Sequence, residues 1–224
     1  MDLDATRERY LLTLTLKDRA YARDPWLWFS EQVVTVDESR NVVSPWPTDK
    51  LYTRDLVQAI HDNRLIAIPK SRRMMASWTV STYAVWAARY TPHWAGFIQS
   101  RSEEAAAFLV DKRCSFVEDR LRDSILRKPY DSLRTKAGLI GKMTYKDTDS
   151  WIQAIAQGAE KIRAYTASFV FMDECEFQEE ASQALVAALP LVEHGARLVL
   201  ASSSNGPSGV LAGLCRDVGF TRFK

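Results

Sequence analysis

The sequence lacks the features that mark secreted, membrane-spanning or zinc-binding proteins. Its three cysteines, Cys114, Cys175 and Cys215, have no metal-site spacing, and their odd number favours reduced thiols in a cytosolic protein. No apolar run approaches the roughly 20 residues that a membrane-spanning helix needs. The acidic start, Met1-Asp-Leu-Asp, does not resemble a signal peptide. A formal net charge of +2 is too small to indicate a partner, but the apolar fraction of 46% is enough for a full core.

Short apolar runs alternate with helical stretches along most of the chain. This alternation predicts an α/β fold with a mostly parallel central sheet flanked by helices. Residues 35–49 are predicted to be a loop because Pro45 and Pro47 flank Trp46. The predicted strands are 65–68, 95–99, 138–145, 151–156, 169–172 and 197–201, and the predicted helices are 5–22, 49–62, 77–90, 102–121 and 179–189, the last ended by Pro190. Residues 1–48 are expected to be a helical, aromatic segment that packs on a core formed by residues 49–224.

The segment after the strand at 65–68 has the order strand, basic turn, helix that is typical of a phosphate-binding loop. The common pattern G-x-x-x-x-G-K-[ST] would place its glycines at Lys70 and Met75 and its lysine at Ala76, so only the final hydroxyl, Ser77, is present. A helix N-terminus after such a turn can bind phosphate through its free N–H groups. The predicted phosphate-binding residues are Lys70, Ser71, Arg72, Arg73, Met74, Met75, Ala76 and Ser77.

One of three basic side chains in this loop is a candidate to replace the absent lysine. Lys70, Arg72 and Arg73 all qualify, because phosphate requires positive charge more than a fixed sequence position. The alternative is an exposed basic turn with no ligand. The sequence alone leaves Lys70 as the first choice and Arg72 as the second.

Two carboxylates end another buried strand. The apolar run 169–172 leads directly into Asp173 and Glu174, which is typical of a central parallel strand. A carboxylate at the first position is suited to hold Mg²⁺, as is the Ser77 hydroxyl. The second carboxylate is suited to polarise a water molecule that attacks the γ-phosphate of ATP. The alternative is an acidic strand end that faces solvent.

A third polar cluster follows the strand at 197–201. Its side chains could sense the γ-phosphate and the attacking water, although a Ser/Asn/Gly turn explains the same composition. All three clusters follow strands, and ligands in parallel sheets bind at the carboxyl ends of the strands. The sequence therefore predicts one shared site. The members of the third cluster are Ser202, Ser203, Ser204 and Asn205.

Together the three segments resemble the motifs of the large terminase subunit, the DNA-packaging motor of tailed phages and herpesvirus-like viruses. That family has an Arg-containing phosphate loop that tolerates departures from the lysine pattern. It also has four apolar residues followed by Asp-Glu, and a Ser/Thr-rich segment ending in Asn-Gly. The resemblance covers roughly residues 20–215. It implies a RecA-like P-loop ATPase fold with ATP and Mg²⁺ as cofactors.

The resemblance also implies roles for single residues. Lys70 and Glu174 would be catalytic, and Ser77 and Asp173 would hold Mg²⁺. Arg163, ten residues before Asp173, stands where the family often has an arginine, and is a candidate finger for a neighbouring subunit's ATP. An ordinary surface arginine is the alternative.

The resemblance places the adenine-reading region of the family near residues 52–58. Tyr52 and Thr53 lie where the family often has a glutamine, and Gln58, one turn later, is a candidate substitute. The resemblance therefore assigns Tyr52, Thr53 and Gln58 to the adenine region.

The activity implied by the resemblance is ATP hydrolysis that drives double-stranded DNA into a procapsid. The implied partners are DNA, the portal protein and the small terminase subunit. A ring of subunits would act in the host cytoplasm on the procapsid portal, with no membrane, and the family's nuclease domain is expected to be absent from these 224 residues. Two alternatives remain: a superfamily 2 helicase-like ATPase, and a degenerate P-loop module that only mediates interactions.

Overall fold

The fold is built around a sheet whose strands follow the predicted apolar runs. The computed structural model describes residues 3–37, 40–71, 74–206, 209–217 and 219–223. The α-helices are α1 (Leu3–Tyr21), α2 (Pro25–Gln32), α3 (Leu51–Asp62), α4 (Ala76–Tyr90), α5 (Glu103–Leu109), α6 (Phe116–Asp119), α7 (Glu160–Ala164), α8 (Ala181–Glu193) and α9 (Val210–Leu214). The β-strands are β1 (Val34–Asp37), β2 (Val42–Pro45), β3 (Leu65–Pro69), β4 (Ala95–Gln99), β5 (Asp131–Arg134), β6 (Ile140–Tyr145), β7 (Ser150–Ile155), β8 (Phe169–Asp173), β9 (Arg197–Ser202) and β10 (Thr221–Arg222).

The large sheet is mostly parallel, as the sequence predicts. Its strand order is β10-β3-β9-β8-β4-β7-β6-β5. Neighbours from β10 to β7 pair in parallel, and β6 and β5 add an antiparallel edge. The carboxyl ends of β3, β9 and β8 therefore lie side by side, which brings the three polar clusters to one edge of the sheet.

Helices cover both faces of this sheet, and the strands supply a core to each. In β8, Phe169 and Phe171 join the core under α2, α3 and α4. Val170 and Met172 join the core under α7, α8 and α9. All four are buried, because successive strand residues point to opposite faces and both faces are covered. A continuous apolar run is the sequence signature of such a strand.

The N-terminal segment packs against the first of these cores. Tyr21, Trp28 and Phe29 are fully buried there, and Trp46 is 2% exposed. The indole nitrogen of Trp86, in α4, donates a hydrogen bond to the carbonyl of Tyr21 at 2.7 Å. The aromatic residues of the segment therefore contribute to the core, while a boundary between residues 48 and 49 stays a prediction.

Two expectations for the secondary structure are wrong. Residues 34–45 contain the hairpin β1–β2, not only loop, and Pro45 pairs with Val34 at its end. Proline is tolerated in this short edge strand, whose mostly exposed residues show no apolar alternation. Pro190 lies inside α8, and the helix continues to Glu193. The sequence also gave no prediction for β5, β10, α7 and α9, which are short.

A buried ion pair fixes the end of α4 against α6. The side chains of Arg89 and Glu118 are 0% and 1% exposed and contact each other directly. Arg89 also donates to the carbonyl of Leu126 at 2.7 Å. Glu118 accepts from the Tyr145 hydroxyl at 2.9 Å and from the backbone N–H of Lys128 at 2.6 Å. Both charges are thus compensated by hydrogen bonds from several elements.

We predict that Arg89→Met lowers the free energy of unfolding by about 3–5 kcal/mol, because it leaves the Glu118 carboxylate buried without its counter-charge. Urea denaturation provides the measurement. Lys146→Met is the matched control, since Lys146 and Asp131 form a 2.9 Å pair that is exposed on both sides. Its effect should stay below about 1 kcal/mol. Equal effects for the two substitutions would contradict a structural role for the buried pair.

Candidate active site

A cleft of about 700 Å³ opens at the edge where the carboxyl ends of β3, β8 and β9 meet. The loop after β3 forms its floor, and the hairpin β1–β2 contributes a wall. Side chains from five separate segments line it. The lining residues include Val36, Pro47, Lys50, Lys70, Ser71, Met74, Met75, Ala76, Ser77, Trp78, Arg113, Glu174 and Ser203.

Strand register positions the polar clusters in this cleft. Pro69 pairs with Ser202, and Asp173 pairs with Ala201. The backbone N–H of Lys70 donates to the carbonyl of Ser202 at 2.9 Å, which extends the β3–β9 ladder past the end of β3. The residues that follow the three strands are consequently neighbours in space.

The ammonium group of Lys70 joins these segments. Its Nζ lies 2.8 Å from Asp173 Oδ1, 2.9 Å from Glu174 Oε1 and 2.9 Å from Ser77 Oγ. These three partners use all three donors of an ammonium group. Ser77 Oγ in turn donates to Asp173 Oδ1 at 2.8 Å. Four predicted site residues therefore form one hydrogen-bonded cluster, which we call the Lys70 cluster.

In the Lys70 cluster, the opposite charges stabilise the ionised form of each other. Burial lowers the pKa of Lys70, but the charges and hydrogen bonds of Asp173 and Glu174 outweigh burial and leave the pKa raised. Burial raises the pKa of Glu174, but Lys70, with smaller contributions from Ser203 and Ser202, leaves it below its usual range. Lys70 and Glu174 are therefore both ionised at neutral pH.

The backbone turns sharply at Glu174. Its φ of 53° lies in the left-handed region, which is costly for a residue other than glycine. Without such a turn, Asp173 and Glu174 would point to opposite faces of the sheet. Here both carboxylates reach the same ammonium group. The Gln178 side chain donates to the Asp173 carbonyl at 2.8 Å and holds the turn.

Met75 is the second left-handed residue in the cleft. Its φ of 51° and ψ of 12° immediately precede α4, where the common phosphate loop has its second glycine. Glycine adopts this conformation without a steric penalty. The methionine is held in it by the backbone N–H and the hydroxyl of Thr79, which donate to its carbonyl at 2.8 and 3.0 Å. The loop thus keeps the turn geometry without the glycine.

We predict that the left-handed backbone at Met75 makes this position sensitive to residue type. Met75→Asn should be more stable than Met75→Val by about 1–2 kcal/mol, because asparagine tolerates positive φ and a β-branched residue does not. The same pair of substitutions at Met74, whose φ is not positive, provides the control in thermal or urea denaturation. A preference of equal size at both positions would rule out backbone strain as the cause.

The other predicted phosphate-loop and coupling residues are only partly placed at the site. Ser71, Met74 and Ala76 line the cleft, whereas Arg72 and Arg73 lie outside the described residues. Ser202 Oγ lies 3.2 Å from Glu174 Oε2, and the Ser203 hydroxyl and backbone N–H lie 3.5 Å from the same oxygen. Ser204 is exposed. The exposed Asn205 donates to the Glu176 carbonyl at 3.3 Å.

The residues proposed to read adenine do not line the cleft. Thr53 is fully buried and accepts a hydrogen bond from the Trp46 indole at 3.2 Å. Gln58 is bound to Asp62 on the exposed side of α3, at 2.9 and 3.0 Å. Tyr52 is half-buried. Residues that sequence reasoning missed, including Val36, Pro47 and Lys50, line the cleft instead.

Arg163 is also outside the cleft. It lies in α7, on the side of the sheet that carries α8, and its side chain is exposed. Arg163 therefore lies apart from the Lys70 cluster of its own chain. Its predicted role toward a neighbouring subunit stays a prediction.

Ser77 and Asp173 provide oxygen ligands of the kind that Mg²⁺ prefers. Their oxygens are 2.8 Å apart, and the Lys70 ammonium group fills the cation position between them. The described residues contain no group of three or more His, Cys, Asp or Glu side chains that could hold a metal without other ligands. A divalent cation held by these two oxygens would take its remaining ligands from phosphate and water.

Comparison with known proteins agrees with this architecture. No protein-family profile matches the sequence, and no curated protein sequence matches it. Among solved structures, the large terminase ATPase domain of Thermus phage P74-26 is 15% identical, with a TM-score of 0.58 over 75% of this chain and 78% of that one. The large terminase of a thermophilic bacteriophage is 15% identical, with a TM-score of 0.56 over 76% of this chain.

These similarities show which fold the chain has. The chain has a RecA-like P-loop fold, with a mainly parallel sheet flanked by helices. That fold is the one found in the ATPase domains of large terminases. The chain matches 44% of the length of the thermophilic phage terminase. None of the helices in the described part of the chain is long and apolar enough to cross a membrane.

Proposed function

We propose that this chain is the ATPase core of a viral DNA-packaging motor, which hydrolyses ATP to move double-stranded DNA into a procapsid. The main support is the Lys70 cluster, which joins a basic loop, a hydroxyl and two carboxylates in one cleft. The chain that carries this cluster has the fold of large terminases, one of which has been solved in complex with ATP-γ-S. Phosphoryl transfer requires these groups to be positioned together.

Binding of the nucleotide would begin at the loop before α4. The first N–H groups of this helix are available to phosphate oxygens, and the helix dipole favours negative charge there. Lys70 is the described cation at the centre of the cleft. It would exchange its carboxylate partners for phosphate oxygens. Ser77 and Asp173 would hold Mg²⁺, which neutralises charge on the β- and γ-phosphates when bound.

Glu174 is suited to position the attacking water and accept its proton. Its Oε2 is held by Ser202 and Ser203, whereas its Oε1 is occupied by Lys70. When Lys70 turns to the phosphates, Oε1 becomes available to a water molecule while Oε2 keeps the carboxylate oriented. The ionised carboxylate can then act as a general base.

The contacts of Glu174 also suggest how hydrolysis reaches the rest of the motor. Ser202 ends β9, and Ser203 begins the segment that continues to Asn205. A change at the γ-phosphate would therefore reach this segment through a single carboxylate. DNA would be contacted mainly at its phosphates, independently of sequence. In the proposed assembly, a ring of these subunits acts together with the portal protein and the small terminase subunit.

We predict that Glu174→Gln lowers ATP turnover by at least about 100-fold, because an amide cannot accept the proton, while ATP affinity stays within a few-fold. Phosphate release, measured with and without linear double-stranded DNA, gives the turnover, and calorimetry gives the affinity. Glu179→Gln is the matched control, since Glu179 is exposed and does not line the cleft.

Unchanged turnover in Glu174→Gln would remove Glu174 from the mechanism. A wild-type chain that binds ATP but never hydrolyses it, with or without DNA, would instead favour a degenerate P-loop interaction module. Met75 and Ala76, which replace the usual glycine and lysine, are the observation in favour of that second candidate. The retained Asp173 and Glu174, already in contact with Lys70, argue against it.

We predict that Arg163→Ala lowers only the part of ATP turnover that rises with protein concentration or with assembly. An arginine that reaches a neighbour's ATP can contribute about 10³-fold or more to rate, but it has no role in an isolated subunit. Turnover measured over a dilution series, with exposed Lys161→Ala as the control, separates the two contributions. Equal loss at all dilutions would exclude an action between subunits.

A further inference from the structure

Arg113 enters the cleft from an unusual piece of helix. It belongs to the π-helical segment Val110–Ser115, which interrupts the path from α5 to α6. Single π-helical turns inside helices occur frequently at functional sites. Arg113 lines the same cleft as Lys70 and Glu174, although no sequence motif pointed to it.

Arg113 is held against the first turn of α4 by an aromatic ring. Its guanidinium carbon lies 4.4 Å from the centroid of Trp78, the residue directly after Ser77. Trp78 is 6% exposed and packs edge-on against Phe116 at 5.7 Å, so the ring itself is fixed. A planar guanidinium stacked on a ring has its N–H groups in its own plane, the geometry that matches the oxygens of a phosphate group.

The net charge of the cleft favours a second positive side chain near the phosphate loop. Lys70 is shared between Asp173 and Glu174, so these three side chains carry a net negative charge before any phosphate enters. Of the described residues that line the cleft, Lys50 and Arg113 carry the other positive charges. Lys50 Nζ contacts Met75 Sδ at 3.8 Å, whereas Arg113 is stacked on Trp78, directly beside Ser77. Phosphate binding favours bidentate arginine contacts.

We propose that Arg113 binds the phosphate chain of the nucleotide within its own subunit, with Trp78 holding its guanidinium in place. This proposal rests on the proposed nucleotide site. Trp78 directly follows Ser77, and its side chain has no hydroxyl that could bind a phosphate. Arg113, stacked on Trp78, supplies a charged donor at the same place. The arginine thus compensates for part of the positive charge that the carboxylates take from Lys70.

The test compares Arg113→Ala with Arg120→Ala. Arg120 is a close control, because it follows the same helix and stacks on Phe116 at 4.5 Å, yet it is exposed and does not line the cleft. Calorimetry measures the affinity of each variant for ATP and for inorganic tripolyphosphate, both with Mg²⁺. We expect Arg113→Ala to weaken both ligands by about 10- to 100-fold, and Arg120→Ala to leave both within twofold.

Arg113→Lys, which keeps the charge but not the planar fork, should bind both ligands with intermediate affinity. It also serves if the alanine variant does not fold, which thermal denaturation without ligand reveals. Affinities of Arg113→Ala and Arg113→Lys that match the Arg120→Ala control would overturn the proposal. Loss of ATP affinity without loss of tripolyphosphate affinity would overturn it as well, because the contact would then be to the nucleoside. A wild-type chain that binds neither ligand would instead refute the proposed function.

Discussion

The site depends on one buried ammonium group. The Lys70 side chain is 10% exposed, so its charge is stable there only because oxygen atoms of three side chains surround it. Asp173, Glu174 and Ser77 supply those oxygens. The contacts in turn require the ends of β3 and β8 to lie at a fixed separation. Strand register and side-chain chemistry are therefore coupled at this edge of the sheet.

The backbone is strained at two positions of the cleft, where it directs side chains or preserves the path of the loop. Met75 and Glu174 both have positive φ, at 51° and 53°. Strain of this kind persists only where surrounding contacts hold it, and it occurs often at functional sites. At Glu174 the turn directs two successive carboxylates to one cation. At Met75 it preserves the path of a phosphate loop whose glycine is missing. The departures from the common motif are thus compensated by geometry.

The fold is retained where sequence identity is low. The Thermus phage ATPase domain shares 15% of residues with this chain at a TM-score of 0.58. Cores tolerate extensive hydrophobic substitution when volume and pattern are kept. The apolar strands β3, β8 and β9 and their shared edge satisfy that pattern. The residues at this edge form the candidate site, with Lys70 at the first position of the loop.

The sequence by itself determined the sheet and the identity of its main site residues. Continuous apolar runs such as 169–172 can form only strands covered on both faces or a buried helix, and polar residues directly after such runs indicate the ligand edge. The mostly parallel α/β fold was predictable for this reason. The weakly patterned elements were not, because β2 is an exposed edge strand and α7 and α9 are short.

Only the tertiary structure decided which side chains meet. The sequence left Lys70, Arg72 and Arg73 as alternatives, and of these Arg72 and Arg73 lie outside the described residues. The contact between Lys70 and Asp173, about 100 positions away, depends on strand order. Arg113 and the hairpin β1–β2 carry no local signal, since Arg113 is placed by stacking on Trp78 and the hairpin lines the cleft only in the folded chain. Local patterns encode burial and periodicity, whereas long-range contacts emerge only once the strands have paired.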